Sequence, residues 1–174
     1  MKYKDAIKKS MEELSKLDKV RFLGYNINYG SRAYGTLKDI SKNVCIETPV
    51  AENLIVGLAI GMSLEGYKPV VFFERHDFIL NSLDAIVNHL DKIEKMSYGQ
   101  FKTPVIIRAT IGSKKPLTPG MQHTQNFTEV LKKIVTFPVY EPLNSKQVLE
   151  CYSKIKKFEN SALIIEKREL YDQE

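Results

Sequence analysis

Three sets of residues have the types and spacing to do chemistry. Glu52 stands between a Thr48-Pro49 turn and an apolar run that includes Leu54, Ile55, Val56, Leu58 and Ile60. A carboxyl buried against that much apolar surface keeps its proton to higher pH. It then suits proton donation, or a strong hydrogen bond, near neutral pH. The competing reading is a first-turn or N-cap acid stabilised by the helix dipole. His123 lies among Gln122, Thr124 and Gln125, behind a Pro/Gly loop. An imidazole in such a polar cluster suits proton shuttling or anion stabilisation; the competing reading is a solvated loop histidine. Gly57 and Gly61 are one helical turn apart on the apolar run. Small residues at that spacing let another backbone approach closely, inside the domain or across subunits.

Other chemistries lack their residues. There is no GxxxxGK[ST], and Gly24, Gly30 and Gly35 do not make a GxGxxG. His76, His89 and His123 are too far apart for metal-ligand spacing, and no GxSxG elbow occurs. The net charge is +5, from 26 basic and 21 acidic residues. It permits an acidic partner or a phosphorylated ligand without requiring either. The lysines fall in isolated pairs, there is no aromatic interleaving, and tryptophan is absent, so no nucleic-acid partner is expected. No stretch reaches the ~18 apolar residues of a membrane span, and the N-terminus lacks a signal-type apolar run, so no membrane partner is expected. Cys45 and Cys151 form no disulfide framework, which points to a reduced, cytoplasmic setting.

The elements that must position these residues alternate. Helical spacing marks segment 3–17, with Ile7, Met11, Leu14 and Leu17 on one stripe. Strands are expected at Val20–Gly24, Val44–Ile46, Pro69–Phe73, Pro104–Ile107, Phe137–Tyr140 and Ala162–Ile165. Asn53–Gly66 is expected as a helix buried on most sides, because Glu65 is its only charge. Phe78–Met96 is the clearest helix: Ile79, Leu83, Ile86, Leu90 and Ile93 step by +4 and +3 in alternation. Residues 25–42 and 110–124 are expected as loops, Phe127–Ile134 as a helix, and Asn144 with Gln147 as a capping box opening a last helix. Short, uniformly apolar strands alternating with helices imply a single α/β domain over residues 1–174: three layers, with a mostly parallel sheet covered on both faces. Ligands of such sheets lie outside the carboxyl ends of the strands. That places the candidate loops at Gly24, Glu47, Glu74, Ala109 and Glu141.

Taken together, these residues resemble the pyrimidine-binding domain of thiamine-diphosphate enzymes. The chain is most similar to the N-terminal half of the beta subunit of 2-oxo acid dehydrogenase decarboxylases, a transketolase-like domain. The resemblance runs from YKDAIKKSMEE through ETPVAEN, GLAIGMSLEGYKPVVFF, the DFILNSLDAIVNHLD stretch and MQHTQ to ALIIEKRELY. Its most specific element is Thr48-Pro49-Val50-Ala51-Glu52 followed by Gly57-Leu58 and Gly61. The resemblance implies that Glu52 hydrogen-bonds the aminopyrimidine ring of thiamine diphosphate and favours the imino tautomer, whose nitrogen takes the thiazolium proton. It further implies that Phe78 stacks on the pyrimidine, that Val50 lies against the same ring, and that His123 faces the substrate.

The resemblance also carries expectations about partners. Magnesium and the diphosphate would be held by an alpha-type partner chain with a GDG…N motif, in a heterotetramer, with a small keto acid as substrate. The family's C-terminal domain is expected to be absent after Leu170-Tyr171. The competing readings are a split transketolase-type subunit acting on sugar phosphates and a non-catalytic, partner-binding scaffold. Two departures stand out. Tyr25-Asn26 replaces an acidic pair after Gly24, which puts a carboxylate contact in that loop in doubt. Lys114 and Lys115 add cations to the loop Gly112–Gly120, which would suit a phosphorylated or carboxylated substrate.

Overall fold

A computed structural model describes residues 1–174. Its centre is a six-stranded sheet of β1 (Val20–Gly24), β2 (Cys45–Glu47), β3 (Lys68–Phe73), β4 (Ile106–Ile111), β5 (Val139–Tyr140) and β6 (Ala162–Lys167). The order is β2-β1-β3-β4-β6-β5 and every pair is parallel. The helices are α1 (Tyr3–Ser15), α2 (Glu52–Leu64), α3 (Ile93–Met96), α4 (Thr128–Ile134) and α5 (Ser145–Ile155).

Side chains of a strand alternate between faces, and the core divides accordingly. Val20, Phe22, Val70, Phe72, Ile106, Ala162 and Ile164 meet α1 and α5. Leu23, Val71, Phe73, Ile107, Ala109, Leu163 and Ile165 meet α2, α4 and residues 79–90. Both faces are covered, as uniformly apolar strands require. The capping box at α5 forms: Asn144 Oδ1 accepts from the Gln147 amide at 2.9 Å, and Gln147 Oε1 accepts from the Leu143 amide at 2.7 Å.

Three expectations need correction. β4 runs on to Ile111 rather than ending at Ile107. The extension is possible because Arg108 is neutralised inside the layer. Its Nε and Nη2 donate to the two Glu166 oxygens at 2.7 and 3.1 Å, and Tyr152 and Tyr171 donate to the same carboxylate at 3.3 and 2.7 Å. Arg108 and Glu166 are both fully buried.

Phe78–Met96 is not one α-helix. It is a 3-10 segment (His76–Ser82), a π-helical segment (Asp84–Leu90) and the short α3. The Ala85 amide donates to Asn53 Oδ1 of α2 at 3.2 Å. A side chain inserted into the ladder at that point breaks the regular i→i−4 register.

Nor is α2 buried on most sides. One face packs on the sheet, while Leu54, Leu58 and Leu64 are 58, 40 and 46% exposed. A Cβ added to Gly57 or Gly61 would meet nothing within 4 Å. The close packing expected of that pair is therefore not satisfied within this chain.

Candidate active site

The carboxyl ends of β1 to β4 and the loops after them gather the site. Glu52 is the first residue of α2 and is 4% exposed. Tyr25, just beyond β1 and also buried, donates its hydroxyl to Glu52 Oε1 at 3.5 Å, and Asn81 Nδ2 reaches Oε2 at 3.5 Å. Both contacts are at the long limit of hydrogen bonding. Glu52 is thus a buried carboxylate with acceptor capacity left over. Burial, with the Glu52 and Glu74 charges adding to it, pushes the Tyr25 hydroxyl well above its ordinary value, so Tyr25 stays a donor.

The 3-10 segment that carries Asn81 also carries Phe78, and it links Glu52 to His123. The half-buried Phe78 ring meets the His123 ring edge-on, with centroids 5.4 Å apart at 83°. His123 ends a short 3-10 turn, Met121–His123, and its Nδ1 is buried without a partner. Two residues beside Phe78 fix the loop that follows. Asp77 Oδ1 accepts from the Gln125 amide and side chain at 3.1 and 3.0 Å. His76 Nε2 accepts from the Phe127 amide at 2.9 Å, and its ring stacks on Phe127. Burial pushes the His76 pKa down to about 4, so the ring is neutral and able to accept. At Gly112 the chain passes so close that an added Cβ would lie 2.1 Å from the His123 carbonyl oxygen.

Phe78 and His123 are therefore in contact, and Asn81, three residues further along the same segment, reaches Glu52. Val50 lies two residues before Glu52 but is 68% exposed. Lys114 and Lys115 line a separate cleft with Tyr34, Arg75 and Arg168. The loop after β1 does receive a carboxylate, from an unforeseen source. Glu47 at the end of β2 accepts from the amides of Asn26, Ile27 and Asn28 at 2.6, 3.1 and 2.7 Å. Sequence reasoning also missed Tyr25, Asn81, His76 and Asp77 as parts of the site. The available signal was position: each follows a strand's carboxyl end or flanks Phe78.

The site's aromatic ring, half-used buried carboxylate and hydroxyl donor fit a planar heteroaromatic ring with its own N–H donor. No group of three or more His, Cys, Asp or Glu side chains that could hold a metal ion is present, and no helix is long and apolar enough to cross a membrane.

Comparisons with known proteins agree with this architecture. The pyruvate dehydrogenase E1 component subunit beta of Rickettsia conorii is 31% identical over 148 residues, covering 82% of this chain and 45% of the relative. The mitochondrial subunit of the same description from Homo sapiens is 27% identical over 173 residues, covering 97% of this chain and 48% of the relative. The chain spans about half the length of the curated relatives it matches. A solved structure described as "Split gene transketolase, inactive beta4 tetramer" superposes with a TM-score of 0.72 at 20% identity, over 97% of this chain and 52% of that one. The family profile "Transketolase, pyrimidine binding domain" matches residues 1–173. That match takes in every strand and helix described above, and the chain belongs to the transketolase pyrimidine-binding-domain family.

Proposed function

We propose that this chain is the pyrimidine-binding half of a split thiamine-diphosphate enzyme acting on a 2-oxo acid, with its active site completed by a diphosphate-binding partner chain. The observation that carries the reading is Glu52: a buried carboxylate at the carboxyl edge of a parallel sheet, with unused acceptor capacity beside the Tyr25 hydroxyl and the segment that carries Phe78. The pyruvate dehydrogenase beta relatives favour the 2-oxo acid class.

When bound, thiamine diphosphate supplies a nucleophilic carbon and an electron sink for breaking the bond next to a keto carbonyl. The free acceptor capacity of Glu52 would take a hydrogen bond from an N–H of the aminopyrimidine ring. The Tyr25 hydroxyl fixes the orientation of that carboxylate. Phe78 packs on the ring, and Val50 closes against it once a partner chain covers its exposed side chain. His123, held by Phe78 and the loop behind it, moves a proton on the substrate side. Magnesium and the diphosphate are assigned to the partner, through a GDG…N motif.

The exposed face of α2 supports assembly into a heterotetramer. An apolar groove of about 670 Å³ beside Gly57 is lined by Ile60, Ala85, Ile93, Met96 and Phe101. Affinity purification of the tagged chain from its own cells, with assay of the eluate, tests the whole reading. A co-purifying chain with a GDG…N motif, bound thiamine diphosphate, and turnover of 2-oxo acids with an artificial electron acceptor are expected. Turnover of ketose and aldose phosphates instead would change the substrate class. Recovery of the chain with no cofactor and no such partner would overturn the reading in favour of a scaffold.

A further inference from the structure

Glu47 is the last residue of β2, an edge strand of the sheet. It pairs with no cation. Its oxygens instead accept from three successive backbone amides: Asn26 on Oε1 at 2.6 Å, and Ile27 and Asn28 on Oε2 at 3.1 and 2.7 Å. Successive N–H groups that converge make a receptor for an anion, and hydrogen bonds to a carboxylate are among the stronger ones. Here a side chain of the same molecule fills the receptor, so the loop after β1 carries its own anion.

That loop needs holding. Asn26, Arg32, Ala33 and Tyr34 have φ of 56, 47, 53 and 55°, a region that L-residues disfavour. Such backbone persists only where its surroundings enforce it, and it gathers at functional sites. Two side chains enforce it from opposite ends. Glu47 takes the amides of residues 26–28, while the Arg32 guanidinium donates to the carbonyls of Ile27, Lys38 and Ile40 at 3.0, 2.9 and 2.8 Å. The Ala33 amide closes the turn onto the Asn26 carbonyl at 2.8 Å.

Both approaches to Glu52 hang on this frame. Tyr25 directly precedes the clamped amides, and its hydroxyl reaches Glu52 Oε1 at 3.5 Å. That is the long limit of a hydrogen bond, so a backbone shift of about half an ångström ends the contact. On the other side, Asn26 Nδ2 donates to Glu74 Oε2 at 2.9 Å, and the Tyr34 hydroxyl donates to the Glu74 carbonyl at 3.1 Å. Glu74 stands two residues before the 3-10 segment whose Asn81 reaches Glu52 Oε2.

We propose that Glu47 is a positioning residue: by holding the amides of residues 26–28 it sets the Tyr25 hydroxyl against Glu52, and so orients the carboxylate that meets the aminopyrimidine ring. The proposal rests on the thiamine-diphosphate reading for what Glu52 then does, whereas the placement of Tyr25 stands apart from that reading.

The test has two arms. In the full chain alone, the amides of Asn26, Ile27 and Asn28 should exchange with deuterium as slowly as those of β1, although they lie in a loop. E47Q keeps the side chain's shape and one acceptor. It should speed their exchange by about 10-fold or more and remove the NOE between the Tyr25 ring and the Glu52 side chain. In the assembled complex with thiamine diphosphate, the readout is exchange of the cofactor's C2 proton. E47Q and Y25F should each slow it by about 10-fold with the cofactor still bound. The E47Q/Y25F double variant should be no slower than Y25F, because the two residues act through one contact. Multiplied losses in the double variant, or C2 exchange at the parent rate in E47Q, would overturn the proposal. Unprotected amides at 26–28 in the parent chain would overturn it without any variant. C2 exchange at the parent rate in E52Q would instead defeat the thiamine-diphosphate reading, and the amide and NOE measurements would still decide whether Glu47 places Tyr25 against Glu52.

Discussion

His76 is buried, and burial disfavours its charged form. For His76 the consequence is measurable. Its folded pKa of about 4 lies below the ordinary value of 6.5. The unfolded chain therefore binds the extra proton first as pH falls. Stability is fully present above pH 6.5 and is lost progressively down to about pH 4, by roughly 3 kcal/mol from this one group. H76Q, whose side-chain oxygen can still accept from the Phe127 amide, should lose much less over that window. Urea unfolding of both proteins at pH 7 and pH 4.5 checks this, and equal losses would contradict it. At this scale the sequence was partly legible. The burial of Glu52 was legible in its apolar neighbours. Its contacts with Tyr25 and Asn81 were not, because each reaches Glu52 from an element 27 or 29 residues away, and no local pattern encodes that meeting.

The elements were legible wherever one periodicity ruled a segment. β1, β3 and α1 follow their apolar patterns closely. β4 was cut short because Arg108 and Thr110 read as the end of an apolar strand, whereas Glu166 on the neighbouring β6 neutralises Arg108 inside the layer. That pair gives a prediction at the same scale. E166L leaves a buried guanidinium unpaired and should cost about 3–5 kcal/mol, while R108M/E166L should recover most of it. Denaturant midpoints of the two variants and the parent decide the matter; a double variant as unstable as the single one would contradict the account. The helix expected over Phe78–Met96 failed for a similar reason. Its apolar spacing was right, but the Ala85 amide donates to the Asn53 side chain of α2, and the 3-10 segment before it carries both Phe78 and Asn81.

On the scale of the whole molecule, α2 has one apolar face too many. The first packs on the sheet; the second, with Leu54, Leu58, Gly57 and Gly61, meets nothing in this chain. The sequence made α2 apolar all round and so suggested burial, but nothing within the chain buries its second face. Leu58→Glu should leave the isolated chain folded and its melting temperature within a few degrees, since surface changes usually cost less than ~0.5 kcal/mol. The same change should abolish assembly in light scattering or gel filtration. Unchanged assembly would place the interface elsewhere.

The central claim is that Glu52 activates thiamine diphosphate in a site shared with a partner chain. The most direct measurement is the exchange of the cofactor's C2 proton for deuterium, followed by NMR in the assembled complex with the parent chain and with E52Q. The account predicts that E52Q still assembles and still holds the cofactor, with exchange slowed by about 100-fold or more, the range of general acid–base catalysis. Exchange at the parent rate in an intact E52Q complex would contradict it.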